Sequence, residues 1–445
     1  MTIPRFSECH QAALDCLARG DAREAFGQVR FALAHDPAIA TDSERWREAF
    51  ELFARISEDI AGDDLAILVQ QTVDNPDNAQ ALYELGYELI EQGLPGIAAT
   101  ALTRANLLVP NQEPILIELA VALGGDQRCF EAVRVLREAP EVVEQSFLCR
   151  YLLAYNTLMS GDLDEPRRLL PRLLQTENPD QQTAARRIEG MLLRADTVRT
   201  VTPLDENDLR GWHFVVTGGL LLHLSPYGFE EGMRGRYAFT QDDPARCLEG
   251  IRRLAAVLDC WQLHPARIWR LEDTDSAALA LAGGQILGCP VEPWPAEGSR
   301  DEGLIVAYDL ATLADKTLAA LHPHRPGQVL WAQAACWTQE PPFAADLTTY
   351  LYQYNVSPWG ERLRVNPESR ETETLPASTA PAEARAAAVV AAELEANALE
   401  DVPSLVALAQ AMRGLTGDHA AGALRQSGPR RRQGTNSPVL SNRFF

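Results

Sequence analysis

Apolar residues recur along the first part of the chain at the three- and four-residue spacing of amphipathic helices. Between about Asn78 and Pro110, Leu82, Leu85, Gly86 and Leu89 make one stripe. Ala98, Leu102 and Ala105 make a second, and Pro110 closes the unit. The pattern returns 34 residues further on as Leu116, Leu119, Ala120 and Leu123, then Ala132, Leu136 and Ala139. Each stripe predicts a helix and each pair a helical hairpin. Small residues at Gly86, Ala98, Ala120 and Ala132 fall where paired helices must approach closely, and leucines fill the space between them. Proline stops the second helix because it lacks a backbone donor. A lone hairpin leaves an apolar face bare, so the recurrence predicts stacking.

Weaker copies flank these two. Residues 7–37 keep Ala12, Ala13, Cys16, Gly20, Ala25, Ala32 and Pro37. Residues 147–179 keep Leu153, Ala154, Gly161, Leu170, Leu173 and Pro179. Residues 43–76 are helical by pattern but match the unit poorly, and a helix near Gln181–Ala195 is expected to cap the stack. The spacing and the order of large and small residues resemble the tetratricopeptide repeat. That resemblance implies an all-α solenoid over residues 1–200, with about ten antiparallel helices and a concave groove for a protein or peptide partner. Tyr83, Tyr87 and Asn156 are candidate groove contacts, with plain surface or packing roles as the alternative.

Near Pro203 the helical period gives way to short β-rich runs alternating with helices, which predicts a partly parallel α/β domain over residues 201–365. Strands are expected at His213–Val216 and Leu220–Leu224, on either side of a Thr217-Gly218-Gly219 turn, and at Tyr237–Thr240. A helix follows over Pro244–Leu258, with Asp243 as its N-cap. Further strands are expected at Arg267–Leu271, Cys289–Glu292, Leu304–Tyr308 and Gln328–Ala335. Further helices are expected at Ser276–Leu287, near Leu313–Leu321 and around Phe343–Tyr354.

Two stretches of this domain, RIWRLEDTDSAALALAGGQILGCPVEPW (267–294) and GLIVAYDLATLADKTL (303–318), resemble phosphoribosyltransferase-like domains. In that comparison Asp309 matches one acid of the acidic pair, and Thr312 and Thr317 fall in the phosphate loop. Leu310 or Tyr308 replaces the second acid, the loop has no glycine, and Asp315 falls inside it. An aspartate repels phosphate where backbone donors are wanted, so the transfer chemistry is expected to be lost. Asp273, Asp275 and Ser276 sit at a strand-to-helix turn, the usual ligand position in an open α/β sheet. They read equally well as N-capping groups. Together with Asp309 and Thr312 they are the candidate ligand residues.

Other chemistry is sparse. The eight cysteines form no C-x-x-C pair and are expected to be reduced core residues. Cys336 as a nucleophile would need an activating base that the sequence does not supply. His322, His324 and Arg325 are expected in a solvated loop, with a metal or anion site as the alternative. No cofactor and no metal are expected. The net charge of −22 opposes nucleic acid and anionic lipid at long range. The start of the chain lacks an apolar signal core and no apolar run is long enough to span a bilayer, so a cytoplasmic location away from membranes is expected.

Residues 366–445 are expected to be a linker, an alanine-rich helix over 382–398, an amphipathic helix at Val402–Met412, and a partly disordered basic tail. After Asp418 the chain has no acid but carries Arg425, Arg430, Arg431, Arg432 and Arg443, suited to an acidic partner or to the protein's own acidic body. The whole reads as a protein-binding scaffold or adaptor with an inactive or ligand-sensing α/β domain. An enzyme acting on a nucleotide or sugar phosphate is the alternative.

Overall fold

The computed structural model describes residues 5–228, 232–339, 341, 343–365, 370, 372–425, 428–434 and 436–442. The chain divides into two compact units, Met1–Ile188 and Glu189–Phe445.

Among the described residues the first unit is built from helices. They are α1 (Phe6–Ala18), α2 (Ala22–His35), α3 (Pro37–Thr41), α4 (Ser43–Ile60), α5 (Asp63–Asp74), α6 (Ala79–Glu91), α7 (Pro95–Leu108), α8 (Glu113–Gly125), α9 (Cys129–Arg137), α10 (Pro140–Gln145), α11 (Phe147–Met159), α12 (Asp164–Leu173) and α13 (Pro179–Val198). Ten of these thirteen form five hairpins, α13 follows them, and the other two are the short α3 and α10, each opened by a proline at its first turn.

The longer helices pair as α1/α2, α4/α5, α6/α7, α8/α9 and α11/α12. The poorly matching stretch 43–76 is one of these hairpins. Asn78 caps α6 by accepting from the Gln80 and Ala81 backbone amides. Gly86 lies so close to α7 that a Cβ there would run into Leu102 Cγ. Contacts also skip a hairpin: α7 packs on α2, where a Cβ on Gly96 would meet Ala34 Cβ at 2.8 Å and Thr100 Oγ1 donates to the Leu33 carbonyl at 2.8 Å. Arg104, also on α7 and 4% exposed, donates to the carbonyls of Pro76 and Ala40, to Ser43 Oγ and to Asp77. A strict linear repeat array contacts only its neighbours, so the first three hairpins cluster more tightly than that rule.

The second unit begins within α13 and continues with α14 (Leu209–Thr217) and β1 (Leu220–Leu221), followed by β2 (Tyr237–Gln241), α15 (Pro244–Trp261), β3 (Ile268–Arg270), α16 (Thr274–Leu287), β4 (Val291–Pro293) and β5 (Gly303–Asp309). It continues through α17 (Asp315–Leu321), β6 (Pro323–His324), β7 (Gln328–Cys336), β8 (Leu347–Val356), β9 (Arg362–Val365), β10 (Thr372–Leu375), α18 (Ala382–Val390), α19 (Val402–Met412) and β11 (Gly428–Pro429). The main sheet is parallel, in the order β1-β8-β7-β5-β3-β4, with β2 pairing along the later part of β8. Trp269, Trp294, Ile305, Leu330 and Phe343 lead one of its buried apolar clusters.

Several expectations are corrected here. The stretch His213–Val216 is helix, within α14, and not strand. Thr217-Gly218-Gly219 is no hairpin turn: Gly218, at φ 74°, ends α14 in the left-handed conformation and the chain enters β1. Phe343–Tyr354 is not helix, since it contains most of β8. The alanine-rich helix stops at Val390.

The basic tail is packed where it is described. Val439 is 1% exposed, Arg430 lies against Asp346, and the Arg431 carbonyl accepts from the Ala344 amide at 2.8 Å. These contacts are with the protein's own body. Arg443 and most of the stretch 366–371 lie outside the described residues. His324 is likewise no solvated group: it is 3% exposed, and its Nε2 lies 2.9 Å from the Arg425 carbonyl.

Candidate functional site

In the parallel sheet the chain passes from β3 to β4 in one direction, then returns to place β5 on the other side of β3 and continues to β7 and β8. The order therefore reverses between β3 and β5, and ligands of open α/β sheets bind at such reversals, beyond the carboxyl ends of the strands. All five α/β candidates flank this point. Asp273, Asp275 and Ser276 follow β3, while Asp309 ends β5 and Thr312 lies just beyond it.

Their polar groups are mostly turned on one another. Asp273 caps α16, its Oδ1 accepting from the Ser276 amide at 2.8 Å, and burial raises its carboxyl. Its Oδ2 is buried with no hydrogen-bond partner among the described residues. Ser276 is fully buried, and its Oγ accepts from the Tyr308 amide at 2.8 Å, tying the start of α16 to β5. Asp309, 3% exposed, accepts from the Ala311 amide at 2.9 Å through Oδ1 and from the Tyr352 hydroxyl through Oδ2. Burial raises the Asp309 carboxyl, while Tyr352 and the Ala311 amide oppose the rise. Thr312 Oγ1 donates back to the Asp309 carbonyl at 3.0 Å.

Asp275 is held by Arg385, which projects from α18. The same guanidinium donates to the carbonyls of Ser378 and Ala380 and lies over the Trp359 ring at 5.4 Å. Helix α18 packs on α16, so a C-terminal element covers the helix that leaves the reversal point.

A second polar constellation lies beside it, and no motif in the sequence marks it. Asp242 follows β2 and is 1% exposed. It accepts from the Tyr308 hydroxyl at 3.1 Å, and Gln333 Nε2 stands at 3.5 Å. Asn355 donates to Tyr308 Oη at 3.0 Å and accepts from the Tyr350 hydroxyl at 3.1 Å. Burial pushes the Asp242 carboxyl up to about 6, against the opposing charge of Arg246. Arg246 spans the faces of Tyr237 and Tyr350, at 4.9 and 5.8 Å from the ring centroids. These residues come from β2, α15, β5, β7 and β8, and only the sheet topology unites them.

Two cavities among the described residues lie elsewhere in this unit. A cleft of about 280 Å³ is lined by His322–Pro326 with Gly428 and Pro429. A space of about 30 Å³, close to the size of one water, lies among Trp212, His213, Arg236, Trp337 and Gln433. Neither is lined by the five candidates. Cys336 is buried, with its thiol facing Thr338 and the Gln353 carbonyl. All eight cysteines are free thiols. Among the described residues no group of three or more His, Cys, Asp or Glu side chains is placed to hold a metal, and no helix is long and apolar enough to cross a membrane.

In the helical unit, Tyr83 is half-buried and Tyr87 is 48% exposed on α6. Asn156 does not join them on the surface. It is 1% exposed, its Nδ2 donates to the Leu152 carbonyl, and its Oδ1 lies 3.0 Å from where a Cβ on Gly124 would stand. The residues that do continue the tyrosine positions are 34 and 68 residues on: Ile117 and Tyr151 follow Tyr83, and Val121 and Tyr155 follow Tyr87. All six are exposed or half-buried, and their helices α6, α8 and α11 pack in that order. The period is legible in the sequence; Asn156 stands one position beyond the second row.

No protein-family model matches the chain, and no curated protein matches it in sequence.

Proposed function

We propose that the protein is a partner-binding scaffold whose working surface is the face of α6, α8 and α11, and that the helical unit is a tetratricopeptide-like repeat array. The observation that carries this reading is the double row Tyr83–Ile117–Tyr151 and Tyr87–Val121–Tyr155, which keeps apolar and aromatic side chains accessible at the repeat period. Core packing accounts for the other repeated positions, whereas none of these six is fully buried and Tyr87 and Val121 are exposed. Aromatic groups left at a surface supply contact area at small entropic cost on binding.

The sheet unit supports binding over catalysis in a different way. Asp275, Ser276, Asp309 and Thr312 have hydrogen bonds within the chain, and α18 lies across α16. A ligand-sensing role for this unit, of the phosphoribosyltransferase-like kind, is favoured by one group, the partnerless buried Oδ2 of Asp273. Affinity purification of the full chain from its native host, beside Tyr83→Ala and Tyr87→Ala, tests the scaffold reading. A partner lost from both variants supports it. Partners retained in full by both variants overturn the assigned face. Magnesium-dependent release of pyrophosphate from phosphoribosyl pyrophosphate, abolished in Asp309→Asn, would overturn the non-catalytic reading.

A further inference from the structure

The far end of the double row already holds an occupant, and it is an arginine of this chain. Arg187, on α13, places its guanidinium over the Tyr155 ring at 4.8 Å from the centroid, and its NH1 lies 3.4 Å from the Tyr151 hydroxyl. Tyr151 and Tyr155 stack with centroids 6.2 Å apart, one helical turn from each other. The guanidinium thus takes a ring face and a hydroxyl from a Tyr-x-x-x-Tyr pair. A planar cation suits this arrangement because it meets the negative face of the ring while still donating hydrogen bonds.

Tyr83 and Tyr87 repeat the same pair two units earlier, with the same four-residue spacing on the corresponding helix. Their surroundings are anionic. Helices α6 and α8 carry Glu84, Glu88, Glu91, Glu113 and Glu118 and contain no lysine or arginine. Glu118 is half-buried, and burial together with the neighbouring Glu91 carboxylate raises its carboxyl. Tyr83 and Tyr87 stand one turn apart on α6, which packs on the α8 that carries Glu118, and burial, then Glu118 and Tyr87, raises the Tyr83 hydroxyl. Carboxylates crowded at a partly buried surface are relieved by a cation.

From this internal pattern we infer that the Tyr83/Tyr87 pair, with Glu91 and Glu118, is the seat for an arginine side chain of a basic peptide segment in the partner protein. The inference rests on the scaffold reading and specifies the chemistry of its ligand. The arginine stacks on the exposed Tyr87 ring, as Arg187 does on Tyr155, and its charge is balanced by the two glutamates. The flanking Ile117 and Val121 receive apolar residues of the same segment. An acidic segment is excluded by the same carboxylates.

The test uses the full chain and fluorescein-labelled peptides of alternating glycine and arginine, glycine and lysine, or glycine and glutamate. Anisotropy is read near physiological salt, where the screening length is about 8 Å. The arginine peptide is expected to bind most tightly, and Tyr87→Ala and Glu118→Gln are each expected to weaken it about tenfold. Tyr87→Phe keeps the ring face and should stay within about threefold. Glu297→Gln removes one exposed carboxylate from the other unit and should leave binding unchanged. Equal weakening by Glu297→Gln and Glu118→Gln, or no effect of Tyr87→Ala, overturns the inference by reducing the binding to net charge. Preference for the glutamate peptide, lost in Tyr87→Ala, overturns the basic class while leaving the docking face intact. No binding of the arginine peptide overturns the inference alone, since the scaffold reading is judged by the separate loss of a native partner.

Discussion

Arg430 donates to Asp346 at 2.5 Å, and both side chains are almost wholly buried, at 1% and 5% exposure. Asp346 also accepts from the Leu330 amide at 2.8 Å, so the C-terminal arginine secures a carboxylate already bound to β7. Removing one partner of a buried pair leaves an uncompensated charge, which costs about 3–5 kcal/mol. Arg430→Ala should therefore lower the urea midpoint of the sheet unit steeply. Arg430→Ala with Asp346→Asn should recover part of the loss. An Arg430→Ala protein as stable as the parent would show that the tail does not contribute to the fold.

Gly86 is the second point of leverage. Any side chain there runs into Leu102 on the paired helix. Gly86→Leu should cost about 1–3 kcal/mol by overpacking, read as an earlier transition of the helical unit in thermal or urea unfolding. A compensating Leu102→Ala should restore some of it. An unchanged melting temperature in Gly86→Leu would mean that the close approach is absent.

Asp242 makes a prediction about pH. Its folded carboxyl is raised to about 6 from an ordinary 3.8, so the folded state holds the proton more tightly than the unfolded chain. The associated stability is present below about pH 4 and is lost as pH rises through about 6. A rise of that size corresponds to on the order of 3 kcal/mol. Asp242→Asn should flatten the stability profile across that interval and cost little at pH 7. His213 acts in the opposite sense. Burial, followed by the Arg236 charge, lowers it to about 4, so its contribution is present above about 6.5 and is lost as pH falls through 4. Urea unfolding at a series of pH values, on the parent, Asp242→Asn and His213→Gln, separates the two slopes.

The Arg385–Asp275 contact is expected to help hold α18 on α16, beside the buried Ala386 and Val389. Arg385→Ala should raise amide exchange throughout Ala382–Val390 while leaving β5 protected. A double-mutant cycle with Asp275→Ala should return a coupling of about 0.5–3 kcal/mol. Additive single mutants would show that the pair is incidental.

Most of the helical hairpins are legible in the sequence because their helices keep a polar face, so the 3.6-residue period survives; α7, buried from Gly96 to Leu102, is legible through the 34-residue recurrence instead. Legibility fails where that face disappears. All nine residues of α14 are buried, and its run His213-Phe214-Val215-Val216 carries no period by which to tell helix from strand. The first six residues of β8 are buried as well, so the alternation of a half-exposed strand is missing there. Asp273, Asp275, Ser276, Asp309 and Thr312 stand out because strand-to-helix turns announce themselves by capping residues. Asp242, Asn355 and Gln333 do not, because their proximity is a product of strand order and leaves no local trace. Asn156 differs from the Tyr87–Val121–Tyr155 row by one position along α11, which on a helix is a turn of about 100° and here separates surface from core.

Asp401 accepts from both Arg210 and Arg253, at 2.7 and 2.5 Å, and Arg210 precedes it by 191 residues. That span sets a schedule for a nascent chain. At the usual ribosomal pace of about 5–20 residues per second, roughly 10–40 s separate the emergence of the two groups. During that interval Arg210 lacks its carboxylate, and until residues 347–356 have been made β1 also lacks β8, the strand with which it pairs. The sheet stays unfinished, with open edges, until β8 has been made, and Arg210 and Arg253 wait longer still for Asp401; an open-edged sheet is the state that chaperones recognise and that aggregation exploits. Expression yield of this chain is therefore expected to respond to translation speed between β1 and the end of β8.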